Sequence, residues 1–121
     1  MATVQLTQES FESTVANNDI VLIDFWASWC APCRMFAPVF EAASETHDDV
    51  VFAKVDTEAE QQLAAAFGIM SIPTLMAFRD QVLLYAQPGA LASAALEDLI
   101  GKVKALDMDE VKRSLAERAQ A

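Results

Sequence analysis

The chain has 121 residues, 54% of them apolar, and a net charge of −10. That is enough chain for one core, too apolar for disorder, and too acidic for a general nucleic-acid or anionic-membrane binder, which needs a basic face. The charge is uneven: residues 1–101 carry Arg34, Lys54 and Arg79 against fourteen acids, while 102–121 is close to neutral. No apolar run reaches the roughly eighteen residues of a membrane span. Met1 to Ser10 shows no basic stretch leading into an apolar one, so no signal peptide is expected. The expected location is the cytoplasm, where a permanent disulfide is disfavoured and a cycling one is at home.

In chain order, Thr3 to Leu6 is a short strand candidate. Thr7 is placed to cap a helix running to about Asn17, with Phe11 and Val15 on one face. Ile20 to Trp26 is apolar without alternation, apart from Asp24, and reads as a strand buried on both faces. A helix is expected from Pro32 to about Thr46, turning Met35, Phe36, Val39, Phe40 and Ala43 inward and kinked at Pro38. Val50 to Val55 is the next buried strand. Thr57 and Glu60 have capping-box spacing for a helix bearing Ala59, Leu63, Ala66 and Phe67, stopped by Gly68. Thr74 to Phe78 and Val82 to Ala86 form a hairpin about the turn 79–81. Pro88 and Gly89 turn again. A helix from about Ala92 to Leu106 faces Leu96, Leu99, Ile100 and Val103 inward, weakened by Gly101 by up to ~1 kcal/mol. Asp107 starts one more helix. The alternation implies right-handed crossovers, a mainly parallel centre, two antiparallel last strands and helices on both faces: a three-layer α/β/α sandwich.

Both cysteines of the chain fall in Trp29-Cys30-Ala31-Pro32-Cys33, between a strand and a helix. This spacing at such a turn reads first as a redox pair. With Cys30 at the helix N-cap, the N–H of Cys33 can point at its sulfur, and the positive end of the helix favours a thiolate there. The thiolate is the nucleophile of thiol–disulfide exchange. Pro32 suits the first turn, having no N–H to lose. The i, i+3 spacing also brings the two sulfurs near bonding reach. As a staple so short a ring contributes only about 2 kcal/mol. A zinc site needs about four ligands, against two cysteines and a distant His47.

Asp24 is the one charged residue between Ile20 and Trp29. Burial of a lone carboxylate is costly and raises its pKa. Two readings stand: a carboxylate that takes a proton from a thiol and returns it, or an aspartate satisfied by backbone donors at a strand end.

At these residues the chain resembles the thioredoxin family. The run from Asp24 through Trp26, Trp29-Cys30-Ala31-Pro32-Cys33 and Arg34 looks like the family's active-site signature. The likeness continues at Pro38, Lys54-Val55-Asp56, Gly68-Ile69, Ile72-Pro73-Thr74 and Gly89-Ala90. It implies a thioredoxin fold with a central mixed five-stranded sheet over residues 1–106, plus an extra C-terminal helix over 107–121. It implies protein-disulfide reduction through a reversible Cys30–Cys33 dithiol/disulfide, with Cys30 the exposed attacking thiol and Cys33 the more buried resolving one. Asp24 becomes the proton acceptor for Cys33, supported electrostatically by Lys54. Pro73 becomes a cis proline facing the cysteines. Trp29, Ala31, Pro32, Ile72, Pro73 and Gly89 become the target-binding surface, with the backbone of Ile72 pairing to the target. Met70 and Ala90 belong either to that surface or to turns. The implied partners are disulfide-containing proteins and an NADPH-dependent thioredoxin reductase, for a monomer that binds no cofactor or metal itself.

Two features depart from the family pattern. Ala31 and Arg34 stand where the family often has Gly and Lys, and changes between the cysteines alter redox poise, at about 30 mV per 1.4 kcal/mol. An oxidase, an isomerase, or a redox-silent binding module on the same apolar surface are the alternative functions. The tail carries Met108, Val111 and Leu115 as a helical stripe, with Lys112, Arg113 and Arg118 outside it. It is either docked on the body, frayed, or a partner-binding helix.

Overall fold

A computed structural model describes residues 2–120. Five strands, β1 (Thr3–Gln5), β2 (Ile20–Trp26), β3 (Val51–Asp56), β4 (Thr74–Arg79) and β5 (Val82–Pro88), form one sheet in the order β1-β3-β2-β4-β5. β1, β3 and β2 run parallel, and β4 and β5 are antiparallel. The helices are α1 (Phe11–Ala16), α2 (Ala31–Thr46), α3 (Gln61–Ala66), α4 (Ser93–Ala105) and α5 (Met108–Gln120). The order is the one the sequence pattern predicts.

β2 is central because both its faces are apolar. Ile20 and Leu22 point into one core with Phe36, Phe40 and Ala43 of α2, Phe52 of β3, and Leu96, Ile100 and Val103 of α4. Val21, Ile23 and Phe25 point into the other, against Val15 of α1, Leu63 of α3, and the rings of Phe11 and Phe67. The period-2 alternation of a strand thus feeds two cores at once. Asp24 and Trp26 share the α2 side with Leu22.

Several local expectations change. α1 starts at Phe11, not after Thr7: Thr7 and Ser10 satisfy each other, Thr7 N–H donating to Ser10 Oγ at 2.9 Å and Ser10 N–H to Thr7 Oγ1 at 3.2 Å. Thr57 and Glu60 do not form a capping box. The Thr57 hydroxyl donates across the sheet to the Trp26 carbonyl at 3.0 Å, and the Glu60 carboxylate accepts from Gln8 N–H at 2.9 Å. α3 therefore begins at Gln61 and buries Leu63 and Ala64, while Ala59 and Ala66 face water. Pro38 lies inside α2, as expected. Met35 is 73% exposed rather than inward. At 100° per residue it lies off the stripe of Cys33, Phe36, Phe40 and Ala43.

The β4–β5 hairpin closes through Asp80 and Gln81, both at positive φ (51° and 68°), as a two-residue type I′ turn requires. A bulge between Ala77 and Phe78 shifts the register. Beyond α4, Asp107 caps α5, its carboxylate accepting from Glu110 N–H at 3.2 Å. Met108 is buried, Val111 is half-buried and Leu115 is exposed, so α5 docks by its first turn. Lys112 pairs with Asp80 at 3.3 Å, and Arg79 donates to the carbonyls of Val103, Lys104 and Leu106. The hairpin turn thereby holds the α4–α5 junction.

Candidate active site

The chain leaves β2 at its C-terminal end, crosses Ala27 to Trp29, and enters α2. Cys30 is the N-cap of that helix, extended at φ −92° and ψ 111°, and Pro32 lies in the first turn. The N–H of Cys33 donates to Cys30 Sγ at 3.2 Å. This satisfies one of the donors left open at a helix start and aims it, with the helix dipole, at the sulfur. The two sulfurs are joined as a disulfide. Cys30 is not the exposed member of the pair: Cys30 is 5% and Cys33 3% accessible. The reason is on the other side of the sulfur, where the Ile72 carbonyl oxygen lies 3.6 Å from Cys30 Sγ.

The Ile72–Pro73 peptide is cis, as the resemblance implies. The Pro73 carbonyl accepts from Gly89 N–H at 2.8 Å. That draws the turn after β5 up to the proline. Gly89 sits at φ 110°, a conformation open to glycine and costly for other residues. Around the disulfide, Trp29, Ala31, Pro32, Met70, Gly89 and Ala90 are exposed, Ile72 is half-buried and Pro73 is buried. Trp29 and Met70 are 66% and 94% exposed, unusual for apolar side chains this large. The indole N–H of Trp29 donates to Glu58 at 3.3 Å, and Arg34 donates to the Ser28 carbonyl at 2.9 Å.

On β2, Asp24 is sealed from water, and neither carboxylate oxygen has a hydrogen-bond partner among the described residues. The strand-end reading, with backbone donors, is therefore not what forms. Its pKa is pushed up from 3.8 to about 6, because loss of hydration outweighs the field of Lys54. Lys54 is the register partner of Asp24 on β3, and its Nζ lies 5.0 Å from the centre of the Trp26 ring.

Residues 2–102 match the family model described as Thioredoxin. A thioredoxin-named protein of Streptomyces coelicolor is 60% identical over 121 residues, covering 99% of this chain and 90% of its own length. The chain belongs to the thioredoxin family. The thioredoxin of Bacillus subtilis is 40% identical over 103 residues, covering 84% of this chain and 98% of its own. Among solved structures, a variant thioredoxin from Halobacterium salinarum NRC-1 superposes with TM-score 0.79 at 36% identity, over 86% of this chain and 91% of that one. Plasmodium falciparum thioredoxin gives TM-score 0.76 at 33% identity, over 83% and 97%. The fold is the thioredoxin fold, and the Cys30–Cys33 pair is its redox-active disulfide. This thioredoxin-family protein is a thiol–disulfide oxidoreductase, and it reduces disulfide-containing proteins.

Two contributors escape a reading of the sequence. Trp26 precedes the pentapeptide and looks like core, yet its ring faces Lys54. The signals are its place in the signature run and its position two residues after Asp24, on the same face of β2. Glu58 lies beyond β3 and reaches Trp29 because β3 ends beside β2, which no local pattern displays. Among the described residues no helix is long and apolar enough to cross a membrane.

Proposed function

We propose that Cys30 is the nucleophile, Cys33 the resolving thiol and Asp24 the proton acceptor of the reduction. The observation that carries this assignment is the Cys33 N–H aimed at Cys30 Sγ, 3.2 Å away at the N-cap of α2. In the reduced protein those donors stabilise a thiolate on Cys30. It attacks one sulfur of a target disulfide, forms a mixed disulfide, and the other target sulfur leaves as thiolate. Cys33 passes its proton to Asp24 and attacks Cys30 Sγ. The Cys30–Cys33 bond forms, the mixed disulfide breaks, and the target's second sulfur leaves and takes up a proton. Two electrons have moved from this chain to the target. An acceptor with its pKa raised to about 6 can hold and return a proton near neutrality.

The target lies against Trp29, Ala31, Pro32, Ile72, Pro73 and Gly89, an apolar rim around the disulfide, and Lys54 tempers the charge of Asp24. The backbone N–H of Ile72 makes no backbone hydrogen bond among the described residues, which suits pairing with an extended target. The division into a thioredoxin domain over 1–106 and a helical extension over 107–121 fits a family match that ends at residue 102. The protein works as a cytoplasmic monomer, recharged by an NADPH-dependent thioredoxin reductase.

Cys33→Ser should accumulate mixed disulfides with target proteins, read by non-reducing electrophoresis. Capture that persists when Cys30 is also removed would reverse the roles. Insulin reduction with dithiothreitol as donor should be lost in the double Cys→Ser variant. A reduction potential near that of a strong oxidant, about −120 mV, instead of near −270 mV, would reassign the flow of electrons.

A further inference from the structure

Lys54 acts on Asp24 without bonding to it. The two residues are register partners on β3 and β2 and share the α2 side of the sheet. Even so, the Asp24 oxygens have no hydrogen-bond partner, and Lys54 forms no ion pair among the described residues. The ammonium sits instead 5.0 Å from the centre of the Trp26 ring. A cation held over an indole face within about 6 Å is attracted by the ring's quadrupole, and tryptophan is the best such partner. Trp26 is two residues on from Asp24, hence on the same face of β2 and diagonal to Lys54. The Trp26 indole N–H is buried with no partner among the described residues. Buried indoles usually find one. The orientation of this ring is therefore set by packing and by what lies on its face.

We propose that Trp26 is a positioning residue: its indole face seats the Lys54 ammonium, and so sets how much positive charge Asp24 feels across the strand pair. A lysine is a point charge on a flexible stem. Without a seat, Lys54 would average over positions reaching toward water, toward Asp56 two residues on, or onto Asp24 itself. Bonded to Asp24 it would hold the carboxylate ionised, and drawn away it would leave burial unopposed. The seat gives an intermediate field. Lys54 is the one charge that acts on Asp24, lowering its pKa against the larger effect of burial. β4 brings apolar Leu75 opposite Asp24 in register.

The proposal rests on the reading of Asp24 as proton acceptor, but it is tested on the carboxyl itself. Asp24 is titrated by carboxyl carbon NMR in the oxidised wild type, W26L, K54Q and the double variant. K54Q should raise the Asp24 midpoint when Trp26 is present. In the W26L background the same change should differ at least twofold in size, smaller where Lys54 is drawn away and larger where it falls onto Asp24, and W26F, which keeps a ring face, should restore most of the wild-type value. A K54Q effect in W26L that stays within twofold of its wild-type size shows that Trp26 serves packing alone, and overturns the seat. A second measurement needs no variant. In the wild-type protein the Lys54 ε-methylene protons should be shifted upfield by the indole ring current, and ordinary lysine values there would also overturn it. The pH profile of exchange separates the two readings. A profile that ignores the Asp24 midpoint, while the NMR coupling holds, supports the seat and removes Asp24 from the proton transfer.

Discussion

Replacing Asp24 by Asn keeps the shape of the side chain and removes its titration. The carboxyl is buried without a hydrogen-bond partner among the described residues, and its pKa is raised from 3.8 to about 6. The folded state therefore holds this proton to higher pH than the unfolded chain does. The sign follows: ionised Asp24 costs stability. The cost is small below pH ~4, grows from there to about pH 6, and is constant above. At about 1.4 kcal/mol for each pH unit between the two pKa values, it amounts to about 3 kcal/mol at pH 8. The unpaired amide of Asn adds an offset that does not vary with pH. Urea denaturation of the oxidised proteins from pH 4 to pH 8 should thus show the stability of Asp24→Asn, relative to wild type, rising by about 2–3 kcal/mol. Most of the rise should be complete by pH 7. A difference that stays flat across that range would refute the reasoning, because it would mean that Asp24 titrates alike in both states.

Phe40 is fully buried, with Phe52 at 5.2 Å and Phe36 at 5.7 Å between ring centres. Phe40→Ala should cost about 3–5 kcal/mol; a loss under about 1 kcal/mol in urea would contradict that packing. Gln81 sits at φ 68°, so Gln81→Gly should stabilise the fold by about 1 kcal/mol, and a lower thermal midpoint would argue against the type I′ turn. A chain ended after Leu106 should keep its insulin-reducing rate, losing helical circular dichroism and the burial of Met108, worth about 1.5–3 kcal/mol. Failure of that truncated chain to fold would tell against the division at 106.

Much of the site was legible because its parts are close in the chain. Cys30, Pro32 and Cys33 lie within one helical turn, where cap chemistry acts through neighbouring backbone groups. β2 was legible from an apolar run too regular for a helix face. Thr57 and Glu60 had the spacing of a cap, and were misread because spacing does not say whether a better acceptor or donor waits elsewhere. Trp26 O and Gln8 N–H supplied those partners from distant segments. Met35 was misread by one position on the helix, which at 100° per residue is the difference between core and water.

By itself, the sequence determined the order of the elements, the two-faced central strand, and a cysteine pair at a helix start. These follow from side-chain periodicity and capping, which act over a few residues. Only the tertiary structure decided what surrounds the sulfurs. It set the Ile72 carbonyl 3.6 Å from Cys30 across 42 residues of chain and tied the Gly89 turn to Pro73. It also left Asp24 without a partner and laid Lys54 on Trp26. Those outcomes depend on which strand lies beside which, and on which polar groups remain once the sheet has taken its own bonds.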